Sequence, residues 1–216
     1  MKKLNRVLSL SAAAALALSL TACSGGTSGT ADTPAADNTS ASTGGSGDTY
    51  TVAVIKQMDH ASLDEIADAI AARLDEIAAE NGITIQYEVT SGQGDQTVLR
   101  QLADQAIADG VDTIIPIATT AAQVAAVSAE ESQTPVVFAA ISYPETADLT
   151  GIDYVTGTSD ALDTNLILDM MLAQNPELQS VGLLYSLSEP NSEVPIADAK
   201  AYLDEKGIAY TEATAN

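Results

Sequence analysis

The residues able to carry chemistry in this chain are few. There is one histidine, His60, and one cysteine, Cys23. A lone histidine excludes a histidine cluster for a metal, and a lone cysteine excludes an internal disulfide. No GxSxG elbow, HExxH pair or phosphate-binding Walker loop occurs. Three carboxylates, Asp95, Asp160 and Glu189, could serve a paired-acid hydrolase only if two of them met within about 5–10 Å in a sealed pocket. The stretch Gly92-Gln93-Gly94-Asp95-Gln96-Thr97 opens like a dinucleotide fingerprint. Its sixth position is Thr97, where Gly or Ala would allow close helix–strand packing, and it follows a second strand, not the first. It reads as a tight turn into a helix, and no cofactor is expected.

A different pattern is positive. Short hydrogen-bonding residues recur just after apolar runs. Gln57, Met58, Asp59 and His60 follow the first run, Thr119 and Thr120 the third, Ser142 and Tyr143 the fourth, and Ser186, Ser188, Glu189, Asn191 and Ser192 a later one. In an open parallel sheet, ligands bind beyond the carboxyl ends of the strands. A helix N-terminus adds free backbone N–H groups and a partial positive charge, which suit a carboxylate. Thr119 can therefore be a helix cap, a ligand contact or both. His60 either contacts a ligand or caps the helix that follows, and the capping reading is preferred. Any one of these residues is also an ordinary cap or turn former. Four such loops at one end of a sheet point to a shared cleft. There the helix N-terminus at Thr119 would suit a carboxylate.

The elements that must position these residues alternate regularly. Tyr50 to Lys56 is short and β-branched, a strand. A helix follows, with Ser62 and Glu65 as a capping box. Leu63, Ile66, Ile70, Leu74 and Ile77 recur at helical spacing, and Asn81-Gly82 ends it. The spacing then predicts a strand over 83–89, a helix over 95–108, a strand over 113–118, an alanine-rich helix over 119–131 and a strand over 135–141. Nearly continuous apolar strands indicate a parallel sheet covered on both faces. The fold class is α/β, a doubly wound parallel sheet, with a first lobe over residues 49–154. A partial second lobe over 155–216 contains a helix over 161–174 (with Leu162, Leu166, Ile167, Met170 and Met171), a strand over 181–185, a helix over 194–206 and a strand over 209–213. Its sheet would have an open edge and an unfilled core. More than about a hundred further residues are expected in the natural protein, from usual domain sizes.

The N-terminus sets the compartment. Lys2, Lys3 and Arg6 precede an apolar run from Val7 to Leu20, shorter than the roughly 20 residues of a membrane-spanning helix and of signal-peptide length. The run ends in Leu20-Thr21-Ala22-Cys23, which resembles a bacterial lipobox. Residues 1–22 are thus read as a lipoprotein signal peptide and Cys23 as the lipidated residue, anchored firmly once two or more acyl chains are present. Residues 23–48 are almost all Gly, Ser, Thr, Ala, Asp, Asn and Pro, a tether with nothing to bury. The chain is expected to be exported and held on the outer face of the cell membrane, as at a Gram-positive surface. After the signal peptide it carries thirty acidic against five basic residues, a net of −25. That excludes nucleic acid, whose phosphates need Lys and Arg, and peripheral docking on anionic lipid heads. A soluble monomer is expected.

From about Val52 to Asn216 the chain resembles the ABC-transporter substrate-binding proteins of the tryptophan and aromatic amino acid type. The segments HASLDEIADAI, GQGDQ, IATTAAQVAA, PVVFAAI, VTGTSD and VGLLYSLSEPNSEV carry the resemblance in order. It implies a type I periplasmic-binding-protein-like fold, two lobes hinged around a buried ligand, and a permease and a cytoplasmic ATPase as partners. It assigns Ser188, Glu189, Asn191 and Ser192 in SLSEPNS, Ser159 and Asp160 in GTSD, and Thr119 in ATTAAQ to the ligand. Thr120 stands where the family usually has proline. Tyr143 stands where aspartate is frequent, and it could stack on an aromatic ligand or line the rim. The ligand set expected from residues and resemblance together is Gln57, Thr119, Thr120, Ser142, Tyr143, Ser159, Asp160, Ser188, Glu189 and Asn191. The chain is read as a non-enzyme that traps a small amino-acid-like solute by hinge closure. The alternatives are a ligand-sensing receptor for a membrane signalling protein, separable by neighbouring genes, and an exported hydrolase using Asp95, Asp160 or Glu189.

Overall fold

The computed structural model describes residues 47–215. The signal peptide, Cys23 and nearly all of the tether lie outside the described residues. The elements run β1 (Thr49–Lys56), α1 (Ala61–Asn81), β2 (Thr84–Ser91), α2 (Gln96–Ala108), β3 (Thr113–Ile117), α3 (Thr119–Ser128), β4 (Val136–Ile141), β5 (Val155–Ser159), α4 (Thr164–Gln174), β6 (Ser180–Ser186), a 3₁₀ turn (Pro190–Ser192), α5 (Glu193–Lys206) and β7 (Ala209–Ala215). Two parallel sheets result, one in the order β2-β1-β3-β4-β5 and one of β6 and β7.

Alternate β1 side chains serve opposite faces of the first sheet. Val52 and Val54 are buried with Ile117 and Ala67 beneath α1. Ile55 packs the other way with Ile114, Val136 and Leu99 of α2. Ala121 and Ala125 of α3 and Ala129 at its C-cap join that layer, and Ala122 and Ala126 face Phe138 and Ile141. Their small side chains let the helix lie close on the sheet. The second sheet is covered by α4 and α5 through Leu168, Val181, Leu183, Tyr202 and Leu203.

The alternation of elements follows the sequence reading, with four corrections. First, Val155–Ser159 pairs in parallel with β4 and forms the edge of the first sheet, so the second unit does not begin at Val155. Second, α1 starts at a cap made by His60, whose Nδ1 accepts the Ser62 N–H at 3.3 Å, and not at a Ser62–Glu65 box. Third, Ala118 occupies the N-cap of α3 without a side-chain bond, so Thr119 is the first helical residue and no cap. Fourth, the helix expected from residue 161 begins at Thr164 behind an Asp163 cap, so Leu162 lies outside it, and Leu168 is its buried residue while Leu166, Ile167 and Met170 are exposed. Two strands cover only one narrow face of a helix, which accounts for this last difference.

The edge strand β5 depends on a close approach. A Cβ on Gly157 would stand 2.2 Å from the Phe138 carbonyl oxygen and 2.3 Å from its ring. Backbone cannot yield as a side-chain tip can. Gly157→Ala is expected to lower stability by about 1–3 kcal/mol, the usual cost of overpacking, and to loosen the β4–β5 pairing. Denaturant unfolding checks this, and an unchanged midpoint would contradict it.

Candidate functional site

All five strands of the first sheet run the same way, so their carboxyl ends share one edge. Register aligns Lys56 with Ile117, and Ile141 with Ser159. The segments that follow β1, β3, β4 and β5 therefore emerge side by side. A bulge in β4, where the pairing shifts between Phe138 and Ile141 and Ala140 takes a φ of 57°, turns the end of that strand toward β5.

Three linked groups occupy this edge. In the first, Gln57 is buried; its Oε1 accepts the Thr120 N–H at 3.0 Å, and its Nε2 donates to both Glu189 carboxylate oxygens at 3.3 Å. In the second, the Ser142 hydroxyl donates to Asp160 Oδ1 at 2.9 Å, and the Ser159 hydroxyl donates to the Ser142 carbonyl at 2.9 Å. In the third, Thr119, Tyr143 and Asn191 line one cleft with Thr146, Ala147 and Pro190. Nine of the ten predicted residues thus fall at one edge. Ser188 bonds only within its own loop, to Ser186, and is exposed.

That cleft measures about 10 Å³. It has room for about one water and none for an amino acid. The Pro190–Ser192 turn packs directly against α3, so the two units stand shut on each other here. A ligand enters only if they part.

The supporting shell is held electrostatically. Lys56 pairs with Asp64 and, at 3.2 Å, with Asp59. The Asp64 partner holds its ammonium pKa above the ordinary lysine value. Asp59 lies below the usual carboxylate range, first through a hydrogen bond from Ser91 and then through Lys56. These contacts fix the loop that carries Gln57. The fingerprint-like stretch is a turn, with Gln93 and Gly94 at positive φ. Asp95 Oδ1 caps α2 by accepting from Thr97 at 2.7 Å and Val98 at 3.2 Å, and these backbone N–H groups depress its pKa. That carboxylate is engaged in capping.

Sequence reasoning did not single out Pro190, Thr146 or Ala147. Pro190 stands inside the SLSEPNS segment and could have been found from its neighbours. Thr146 follows a proline turn and gives no local signal. Nor did it single out Ala118, whose φ of 78° and ψ of 161° belong to a region nearly reserved for glycine. This strained residue sets the direction in which α3 leaves the sheet.

A parallel α/β unit whose polar strand ends face a second α/β unit across a closable cleft defines a two-lobe binding protein of the type I periplasmic-binding-protein-like class. The sequence model described as ABC transporter substrate binding protein matches residues 51–216, and the chain belongs to this family. A curated relative, the tyrosine-binding protein of Clostridioides difficile, is 26% identical over 166 residues, covering 74% of this chain and 48% of the relative. The solved structure of an ABC domain in complex with L-Trp from Streptococcus pneumonia is 28% identical with a TM-score of 0.71, covering 78% of this chain and 58% of that one. A conserved domain protein from Vibrio cholerae is 25% identical with a TM-score of 0.69 at the same coverage. The chain thus spans about half the length of the curated relative it matches.

Proposed function

We propose that this chain is the solute-receiving part of an extracytoplasmic ABC importer and binds an aromatic amino acid between its two units. The observation that carries the reading is that the segments after β3, β4 and β6 line one cleft, with Gln57 after β1 and Asp160 after β5 hydrogen-bonded to the same edge. That edge offers the α3 N-terminus, the Ser142 hydroxyl and the Asp160 carboxylate from the first unit, and Glu189 from the second. Thr119 receives the ligand carboxylate at the α3 N-terminus, joined by the Thr120 and Ser142 hydroxyls once the units part and Ser142 turns from Asp160, and Asp160 or Glu189 receives the ammonium. Tyr143 offers a stacking face. The relatives named for tyrosine and solved with L-Trp support an aromatic side chain. Binding works without covalent chemistry: a ligand touching both units favours the shut form, which the permease and its ATPase then recognise. A lipid on Cys23 and the tether to Asp48 hold the monomeric receptor at the membrane face.

Calorimetry and thermal melting with L-tyrosine and L-tryptophan test this. Heat of binding and a rising Tm are expected, with stabilisation of about 2.7 kcal/mol when ligand reaches about 100 times Kd. No heat and no shift with any aromatic amino acid would remove the specificity.

A further inference from the structure

Gln57 is fixed on every side. Its N–H donates to the Ile117 carbonyl at 3.1 Å, and its own carbonyl accepts the Gly94 N–H at 2.9 Å. The side-chain amide has one orientation, because the Thr120 N–H can be received only by the oxygen end. The NH₂ end is thereby aimed at Glu189. Among the described residues, these are the only hydrogen bonds between residues 49–160 and the unit that begins at α4. Glu189 immediately precedes Pro190 and Asn191, which close over Thr119 and Tyr143. Wherever Glu189 is held, that turn follows.

The choice of an amide has a chemical consequence. A lysine or arginine at this position would neutralise Glu189, and a carboxylate would repel it. Gln57 donates without charge, so Glu189 keeps its full negative charge for a cation. The nearby ammonium of Lys56 is claimed by Asp59 and Asp64. We propose that Gln57 is a positioning residue, aiming Glu189 at a ligand ammonium and seating the 189–192 turn by bridging it to the start of α3. The ammonium role rests on the amino-acid reading above; the seating of the turn does not.

Hydrogen exchange of the full chain separates the two ends of the bridge. Gln57→Leu is expected to expose both the Thr120 amide and the 189–192 amides. Gln57→Glu keeps the acceptor for Thr120 and sets a like charge before Glu189. Thr120 should stay protected while the turn exchanges about tenfold faster, as loss of one charge-assisted bond implies. Turn protection unchanged in Gln57→Glu overturns the proposal. Calorimetry then compares L-tyrosine with its deaminated analogue, hydroxyphenylpropionate. Gln57→Leu should cost about tenfold for the amino acid and little for the analogue, and it should cost nothing further in a Glu189→Gln background. Equal losses for both probes, or full additivity with Glu189→Gln, also overturn it. If the unaltered chain binds neither probe, the amino-acid reading fails, and the exchange pattern alone decides the bridge.

Discussion

Asp160→Ala is expected to weaken binding of L-tyrosine or L-tryptophan by about ten- to a hundredfold, the effect of losing a hydrogen bond to a charged group of about 1.5–3 kcal/mol. That loss follows from the role proposed for Asp160 and from how the residue is held. Its N–H donates to the Ile141 carbonyl at 3.3 Å, and Ser142 donates to Oδ1 at 2.9 Å. Oδ2 has no hydrogen-bond partner among the described residues, and the side chain is exposed at the cleft edge. Because it is exposed, its removal should leave Tm nearly unchanged. Asp160→Asn can keep the contact with Ser142 but lacks the charge, so a loss nearly as large as that of alanine is expected. Titration calorimetry of the three proteins decides the matter. Affinity within about twofold of the unaltered chain, on the 1.4 kcal/mol per tenfold scale, would take the ammonium from Asp160 and leave it to Glu189.

Leu99→Ala should produce the largest loss of stability, about 2–5 kcal/mol, as for a large core residue cut to alanine. A domain of ordinary stability holds only about 5–15 kcal/mol in reserve. Leu99 is 1% exposed and packs with Ile55, Ile114 and Val136. It also lies against Gly92, where a Cβ would stand 2.3 Å from Leu99 Cδ2. The Gly92–Gly94 turn in turn bonds the Gln57 carbonyl. Loss of Leu99 therefore reaches the cleft through the turn. Urea unfolding should show a lower midpoint. A cost under about 1 kcal/mol would mean that the α2 face collapses without leaving a cavity.

Much of the first unit was legible in the residues. Asn81-Gly82 ends α1 because Gly82 takes a φ of 64° that other residues resist. Asp95 starts α2 because a short carboxylate reaches the two free N–H groups behind it. Apolar runs and their period placed the strands and helices within a few residues, since both depend on neighbours close in the chain. Part of the polar crown was visible for the same reason, since Gln57 and Ser142 directly follow β1 and β4, whereas Ser159 and Asp160 came only from the resemblance.

What the sequence by itself determined is therefore the order and type of the elements, and the family that the ordered segments resemble. Only the tertiary structure decided which strands are neighbours and which side chains meet. Val155–Ser159 is a polar, largely exposed stretch with no apolar pattern, and it becomes a strand because the β4 bulge and the bare Gly157 let it dock. Gln57 and Glu189 stand 132 positions apart, and their bond exists because two units close. Local chain preferences act over a turn or two of backbone, whereas pairing at a sheet edge and contact across a cleft depend on where distant segments come to rest.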